Sequence, residues 1–126
     1  MREQSIAWWA VTVDSHDPAR LAEFWSAILG SPIIEPGPDR QGWRRLQPFA
    51  PDGPFINFQP VSEPKAGKAR LHLDVLVADL EAGVARVISL GGTDSGAREV
   101  LLRGRIAVMR DPEGNEFCLL AAPATE

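Results

Sequence analysis

Four side chains capable of acid–base, thiol or metal chemistry occur in two pairs, and one residue separates the members of each pair. His72 and Asp74 form the first pair, and Glu116 and Cys118 form the second. An imidazole serves as a base or a metal ligand, a neighbouring carboxylate orients it, and a thiolate is a nucleophile or a ligand for soft metal ions. Side chains alternate along a strand, so the two members of each pair are expected on one face of a strand.

Each of these residues also has a structural interpretation. His72 is then a hydrogen-bonded pocket histidine, and Asp74 faces solvent at the rim. Cys118 is interpreted first as a small buried residue, because no adjacent base is evident. Glu116 is either a carboxylate base or substrate contact, or a structural residue at the mouth of a hairpin. The catalytic hypothesis therefore concerns His72 and Glu116.

Two helices and a hairpin turn are marked by local signals. Asp17-Pro18 begins one helix and Gly30 ends it; Asp79 begins the other and Gly91-Gly92 end it. Asp111-Pro112-Glu113-Gly114 has the residue types of a tight turn. Strands are predicted for residues 6–13, 33–34, 43–47, 55–61, 70–77, 93–100, 101–109 and 117–120.

The order of elements repeats. Asp17 and Asp79 are 62 residues apart, and the same shift relates Gly30 to Gly92. We predict one domain, residues 1–126, with a first module of about 5–61, a polar linker of 62–69 and a second module of about 70–121. Each module reads βαβββ.

Strand alternation divides the side chains into two faces. The set predicted to face the helices is Trp9, Val11, Val13, Leu46, Ile56, Phe58, Leu71, Leu73, Val75, Ile106, Val108, Phe117 and Leu119. The opposite face mixes polar and large side chains, which favours a ligand cleft over a face buried by a dimer partner. Its predicted ligand-binding residues, with Arg105 as a possible anion contact, are Trp8, Thr12, Trp43, Arg45, Asn57, Gln59, Asp74, Arg105, Met109 and Cys118.

The chain resembles the vicinal oxygen chelate superfamily, the glyoxalase/bleomycin-resistance-like proteins, in its glyoxalase-like branch. The residues that carry the resemblance are DPARLAEFWSAILG (17–30), FQPVSEPKAGKARLHLDV (58–75), LHLDVLVADLEAGVARVISLGG (71–92) and MRDPEGNEFCLL (109–120). The resemblance implies an α+β fold of two βαβββ modules side by side, which form a cup-shaped mixed sheet around a divalent cation.

The resemblance also implies four metal-ligand positions, which fall here on Ala10, Asn57, His72 and Cys118. Alanine offers no donor atom, so this set is degenerate and no metal cofactor is expected. The alternative is a divalent metal held by His72, Glu116 and Gln59, which needs a shifted strand register.

Charge and composition narrow the range of possible functions. A net charge of −4 gives no basic surface for nucleic acid, and no apolar run is long enough to span a membrane. The single cysteine favours a reducing compartment, and the expected location is cytoplasmic. The leading hypothesis is a homodimeric protein that binds or processes a hydrophobic or aromatic metabolite or antibiotic. The alternatives are a metal-dependent lyase or dioxygenase of the same superfamily, and a non-catalytic dimerising module.

Overall fold

A computed structural model describes residues 6–123, and the chain divides after Glu63 into two compact units. The beginning of the predicted first module, at residue 5, lies outside the described residues. Each unit contains one helix and one four-stranded mixed sheet. The predicted α+β class and the predicted βαβββ order of each module are confirmed. Within residues 6–123, no helix has the length and hydrophobicity needed to cross a bilayer.

The first unit has the order β1, α1, β2, β3, β4 along the chain. Its elements are β1 (Ala10–Ser15), α1 (Pro18–Leu29), β2 (Ile33–Ile34), β3 (Arg44–Leu46) and β4 (Phe55–Pro60). The sheet order is β1-β4-β3-β2, in which β1 and β4 are parallel and the other pairs are antiparallel. The parallel pair makes the first and last strands of the unit direct neighbours, with β1 at the edge of the sheet.

Helix α1 begins and ends where its capping residues require. The Asp17 side chain accepts a hydrogen bond from the Arg20 amide at 3.3 Å, and Pro18 occupies the first turn, where a missing N–H is harmless. Gly30 ends the helix with φ 68°, a left-handed conformation that favours glycine. The core of this unit is formed by Leu21, Ala22, Phe24, Trp25, Leu46 and Phe58.

The second unit repeats the order with β5, α2, β6, β7 and β8. Its elements are β5 (Asp74–Leu76), α2 (Leu80–Ser89), β6 (Thr93–Leu101), β7 (Gly104–Arg110) and β8 (Glu116–Ala121). The sheet order is β5-β8-β7-β6, again with a parallel first pair. Asp79 caps α2 by accepting from the Ala82 amide at 3.0 Å. The core of this unit is formed by Leu80, Val84, Val87, Ala107, Met109, Phe117, Leu119 and Ala121.

The turn between β7 and β8 is organised by Asp111, which is 3% exposed. The Gly114 amide donates to the Asp111 carbonyl at 2.9 Å, as the sequence predicts for this turn. The Asp111 carboxylate also accepts from the backbone amides of Glu113 (2.9 Å) and Asn115 (3.0 Å) and from the Asn115 side chain. The turn is thus held by a buried carboxylate, both oxygens of which accept hydrogen bonds.

Two predicted strands begin later than expected. The first starts at Ala10 rather than at Ile6, and Trp8 and Trp9 are each 67% exposed. The fifth starts at Asp74, and Leu71, predicted to face the helix, is 84% exposed. The predicted core positions of Trp9 and Leu71 are therefore wrong. A strand extends only as far as its partner allows, and β1 runs only as far as its paired residues in β4.

The predicted faces of β7 are reversed. Met109 pairs with Phe117 and is fully buried, so it lies on the helix-facing side. Val108 pairs with Cys118 and lies on the opposite side, together with Ile106. The cause is the pair formed by Arg110 and Glu116, which closes the hairpin and fixes its phase.

Candidate functional site

A row of polar side chains crosses three strands of the first sheet. Arg45 on β3 and Thr12 on β1 both pair with Asn57 on β4, so all three project from one face. Arg45 Nε donates to Asn57 Oδ1 at 2.7 Å, and Asn57 Nδ2 donates to Thr12 Oγ1 at 3.4 Å. Asn57 is 5% exposed and is satisfied within the row. Its amide fixes the position of the Arg45 side chain.

Aromatic side chains lie next to this row. Phe55 has the same strand parity as Asn57, and the Arg45 guanidinium carbon is 4.7 Å from the centre of the Phe55 ring. Trp9 meets Phe55 edge to face, with ring centroids 4.9 Å apart. A cation and a largely exposed indole are therefore both in contact with one phenyl ring of the first sheet.

The remaining predicted binding residues of the first module are more dispersed. Gln59 pairs with Asp14 and has the parity of Asn57, as predicted. Trp43 precedes β3, and the guanidinium of Arg40 lies 4.6 Å from its ring centroid. Trp8 lies before β1. Ligand binding by these residues stays a prediction.

The second sheet carries three of the predicted residues together. Asp74 on β5 pairs with Cys118 on β8, and His72 Nδ1 is 3.2 Å from Asp74 Oδ1. One potential ligand atom from each of the three lies within 4.8 Å of the others. Burial raises the pKa of the Cys118 thiol above its ordinary value, and the charges of Asp74 and Glu99 add to this. The free thiol is therefore in its neutral form near neutral pH.

Glu116 lies two residues before Cys118, and its carboxylate is occupied. Lys65 Nζ lies 2.6 Å from one oxygen, and the Ala69 amide donates to the other at 2.9 Å. These two contacts hold the pKa of Glu116 at about 2. The carboxylate is ionised at neutral pH and is a weak base, and it attaches the segment from Lys65 to Ala69 to the second sheet. A catalytic role for Glu116 stays a prediction.

The low pKa of Glu116 predicts a loss of stability in acid. The folded-state pKa lies below the ordinary 4.5, so the ionised form stabilises the fold above about pH 4.5 and this contribution disappears as the pH falls towards 2. Allowing for solvent screening, we expect Glu116→Gln to cost about 1–2 kcal/mol at pH 7 and much less at pH 3. Urea unfolding at both pH values measures the difference. Glu23→Gln is the control, because Glu23 is exposed on α1. A cost of Glu116→Gln that is equal at pH 7 and pH 3 contradicts the prediction.

Two predicted binding residues lie on the helix-facing side of β7. Met109 is fully buried there, and Arg105 pairs with the buried Ala121 and has the parity of Met109. The predicted placement of Met109 on the cleft face is therefore wrong, because the phase of the hairpin is reversed. Anion binding by Arg105 stays a prediction. The Nε atom of Arg105 is buried with no hydrogen-bond partner among residues 6–123.

The two units use equivalent positions. In the first, Thr12 and Arg45 pair with Asn57; in the second, Asp74 and Val108 pair with Cys118. Asn57 and Cys118 are therefore counterparts, as the sequence indicated, and the shift of 62 relates Thr12 to Asp74 as it relates Asp17 to Asp79.

The implied four-ligand metal set does not fit this chain. Ala10 has no donor atom, and the Asn57 oxygen already accepts from Arg45. Of the four positions, only those of His72 and Cys118 carry an imidazole or a thiol, the strong donors of this set.

Three residues that contact the candidate site residues were not identified as functional from the sequence. Phe55 and Trp9 meet because Trp9 precedes β1 and Phe55 begins β4, and the apolar pattern alone does not reveal that contact. Lys65 lies in a segment that composition marks as a linker. The Glu116 carboxylate that binds it is remote in sequence, so no local signal identifies the pair.

A family model described as "Glyoxalase-like domain" matches residues 10–120. A glyoxalase/bleomycin resistance protein/dioxygenase family enzyme from Burkholderia phytofirmans PsJN has a similar structure, with 20% identity, TM-score 0.71, and coverage of 93% of this chain and 99% of that chain. A glyoxalase/bleomycin resistance protein from Albidiferax ferrireducens T118 is also similar, with 21% identity and a TM-score of 0.67. That alignment covers 92% of this chain and 98% of that chain.

A third similar structure is TnmS3, an antibiotic binding protein from Streptomyces sp. CB03234. It has 20% identity and a TM-score of 0.62, and the alignment covers 96% of this chain and 99% of that chain. At these identities the structural likeness establishes the fold. A comparison with curated protein sequences found no significant match.

Proposed function

We propose that this chain, which belongs to the glyoxalase-like domain family, binds a small aromatic molecule with an anionic group on the Arg45 face of its first sheet. The proposal depends on one observation, the fixed position of the Arg45 side chain. Its Nε bonds to Asn57 and its guanidinium lies over Phe55, so the side chain is held in place. Among residues 6–123, no carboxylate forms an ion pair with it.

A fixed guanidinium suits a planar anion. Because Nε makes the bond to Asn57, the terminal guanidinium nitrogens can donate to the carboxylate, phosphate or phenolate of a ligand. Holding the side chain in advance lowers the entropy cost of binding. A solvated surface arginine has no such support.

The adjacent rings suit an aromatic ligand. Trp9 is 67% exposed although it is a large apolar side chain, and it contacts Phe55 beside the cation. An indole in this position gains contact area when a flat molecule stacks on it. Antibiotic binding by TnmS3, which has a similar fold, agrees with a binding role.

Processing of the bound molecule is a second candidate, favoured by one contact. The Asp74 carboxylate lies 3.2 Å from His72 Nδ1 and orients the imidazole, as a general base requires. Incubation with each bound compound, followed by mass spectrometry, decides between the two roles. Recovery of every compound unchanged contradicts catalysis, and turnover that His72→Ala abolishes supports it.

The binding proposal predicts different effects of two neighbouring arginines. We expect Arg45→Met to weaken binding of aromatic carboxylates about 10- to 100-fold, because a charge-assisted contact contributes about 1.5–3 kcal/mol. Arg44→Met is the matched control: it lies next to Arg45 on β3 but has the opposite strand parity and pairs with Phe58. Tryptophan fluorescence and calorimetric titration against benzoate- and cinnamate-type acids measure the affinities.

Neutral amides of the same acids complete the design. They are expected to bind wild type about as weakly as the acids bind Arg45→Met. Equal losses in Arg44→Met and Arg45→Met, or a panel in which no acid binds wild type, contradict the proposal.

A further inference from the structure

We infer that the aromatic ligand of the first sheet carries, opposite its anionic group, a neutral acceptor oxygen such as that of a ketone, and that the Thr12 hydroxyl donates a hydrogen bond to it. The inference rests on the proposed function and narrows the class of ligand. It comes from the direction of the hydrogen bonds that join Arg45, Asn57 and Thr12.

The direction of each hydrogen bond in this row is fixed by the chemistry of its groups. Nε of an arginine can only donate, so the Asn57 atom that faces it must be the carbonyl oxygen Oδ1. The amide nitrogen of Asn57 then faces Thr12 and donates to Oγ1. Because the Thr12 oxygen accepts from Asn57, its own proton is directed away from Asn57.

The Thr12 proton is available to a ligand. In the part of the chain that the structure describes, residues 6–123, the Thr12 side chain accepts from Asn57 and donates to no protein acceptor. Asn57 is buried at 5% exposure, whereas Thr12 is exposed. The row therefore offers two donors on one face, the Arg45 guanidinium and the Thr12 hydroxyl, with a buried amide between them.

The distance between these donors suits one substituted aromatic ring. Because a single amide group joins them, Arg45 Nε and Thr12 Oγ1 lie at most about 8.5 Å apart. A benzoate with an oxygen-bearing group in the para position separates its outer oxygens by about 6–7 Å, from ordinary bond lengths. Hydrogen bonds of about 2.8 Å then reach from both ends of such a ligand to the two donors.

The oxygen at the Thr12 end is expected to be neutral. A hydroxyl donor brings no charge to balance a second anion. The next residue on this face of β1 is Asp14, which is exposed, and its carboxylate disfavours another anionic group beside it.

A matched pair of ligands tests the inference. 4-Acetylbenzoate carries the acceptor oxygen, and 4-isopropenylbenzoate has the same planar shape with a methylene group in place of that oxygen. Calorimetric titration of the wild-type protein is expected to give about three- to tenfold tighter binding of 4-acetylbenzoate, the range expected of one hydrogen bond between neutral groups. Thr12→Val, which replaces the hydroxyl by a methyl group, is expected to remove this preference, and Thr12→Ser to keep it.

Thr93→Val is the control, because Thr93 is an exposed strand threonine of the second unit. It is expected to show the wild-type preference. Circular dichroism verifies that each variant is folded, and the ratio of two affinities within one variant is insensitive to a general loss of affinity. Equal binding of the two acids by wild type, or a preference that Thr12→Val leaves unaltered, overturns the inference.

Failure of this inference and failure of the proposed function give different results. Equal affinities for the two acids that both fall in Arg45→Met overturn the Thr12 contact alone. Absence of binding of either acid contradicts the proposed function and the inference with it. Terephthalate, in which a second carboxylate replaces the acetyl group, is expected to bind more weakly than 4-acetylbenzoate, and tighter binding contradicts the neutral group.

Discussion

Replacing Met109 by alanine is expected to lower the free energy of unfolding by about 3 kcal/mol, and replacing Val108 by alanine by about 1 kcal/mol. Met109 is fully buried against the helix-facing side of the second sheet, where its loss leaves a cavity. Val108 is only partly buried and faces the other way beside Cys118. Urea denaturation of both variants, with the slope compared to wild type, measures the two costs.

This pair of substitutions tests the phase of the β7–β8 hairpin. A shift by one residue exchanges the two faces of a strand, so it exchanges the two costs as well. A larger loss in Val108→Ala than in Met109→Ala would show that the sequence-based assignment of faces was right and that the described register is not.

Asp111→Ala is expected to cost about 3 kcal/mol, because it leaves two partly buried backbone amides and one side-chain amide without their acceptor. The carboxylate is itself buried, and it accepts from the amides of Glu113 and Asn115 and from the Asn115 side chain in a partly buried turn. Asp111→Asn is the matched variant: its remaining oxygen still accepts, so we expect a loss of about 1 kcal/mol. Chemical denaturation followed by circular dichroism measures both.

The difference in stability between the alanine and asparagine variants tests whether the carboxylate organises the turn. If the carboxylate organises the turn, alanine is much worse than asparagine. Equal losses, or an alanine variant as stable as wild type, would show that backbone hydrogen bonds alone hold the hairpin.

The helices of this chain were predictable because their signals are local. Asp17 and Asp79 cap helices within three residues of themselves, and Gly30 ends the first helix through its own φ angle. The repeat of these signals at one shift also predicted the βαβββ order of both modules. The turn at Asp111 was predictable for the same reason.

The faces of β7 could not be read from the sequence. Ile106, Ala107, Val108 and Met109 are all apolar, so alternation gives no phase, and only the pairing with β8 decides which side is buried. Strand starts depend on the partner in the same way: the apolar run before Ala10 predicted a longer strand than β4 supports.

Within the candidate site, shared faces were predictable and specific contacts were not. Thr12, Arg45 and Asn57 on one sheet and Asp74 with Cys118 on the other follow from strand parity. The partner of Glu116 did not follow, because Lys65 reaches it across a long stretch of sequence. Parity identifies which residues share a surface, whereas the charges that neutralise one another depend on the tertiary fold.

The equivalence of Asn57 and Cys118 has a consequence for how such a protein changes over evolutionary time. One strand-pairing scheme occurs twice, with an amide between a hydroxyl and a guanidinium in one copy and a thiol between a carboxylate and a valine in the other. A substitution in one copy leaves the strand pairs of the other copy intact. The chain can therefore acquire or lose a reactive group on one sheet while a recognition group persists on the other, which is one physical route by which a single fold supports many chemistries.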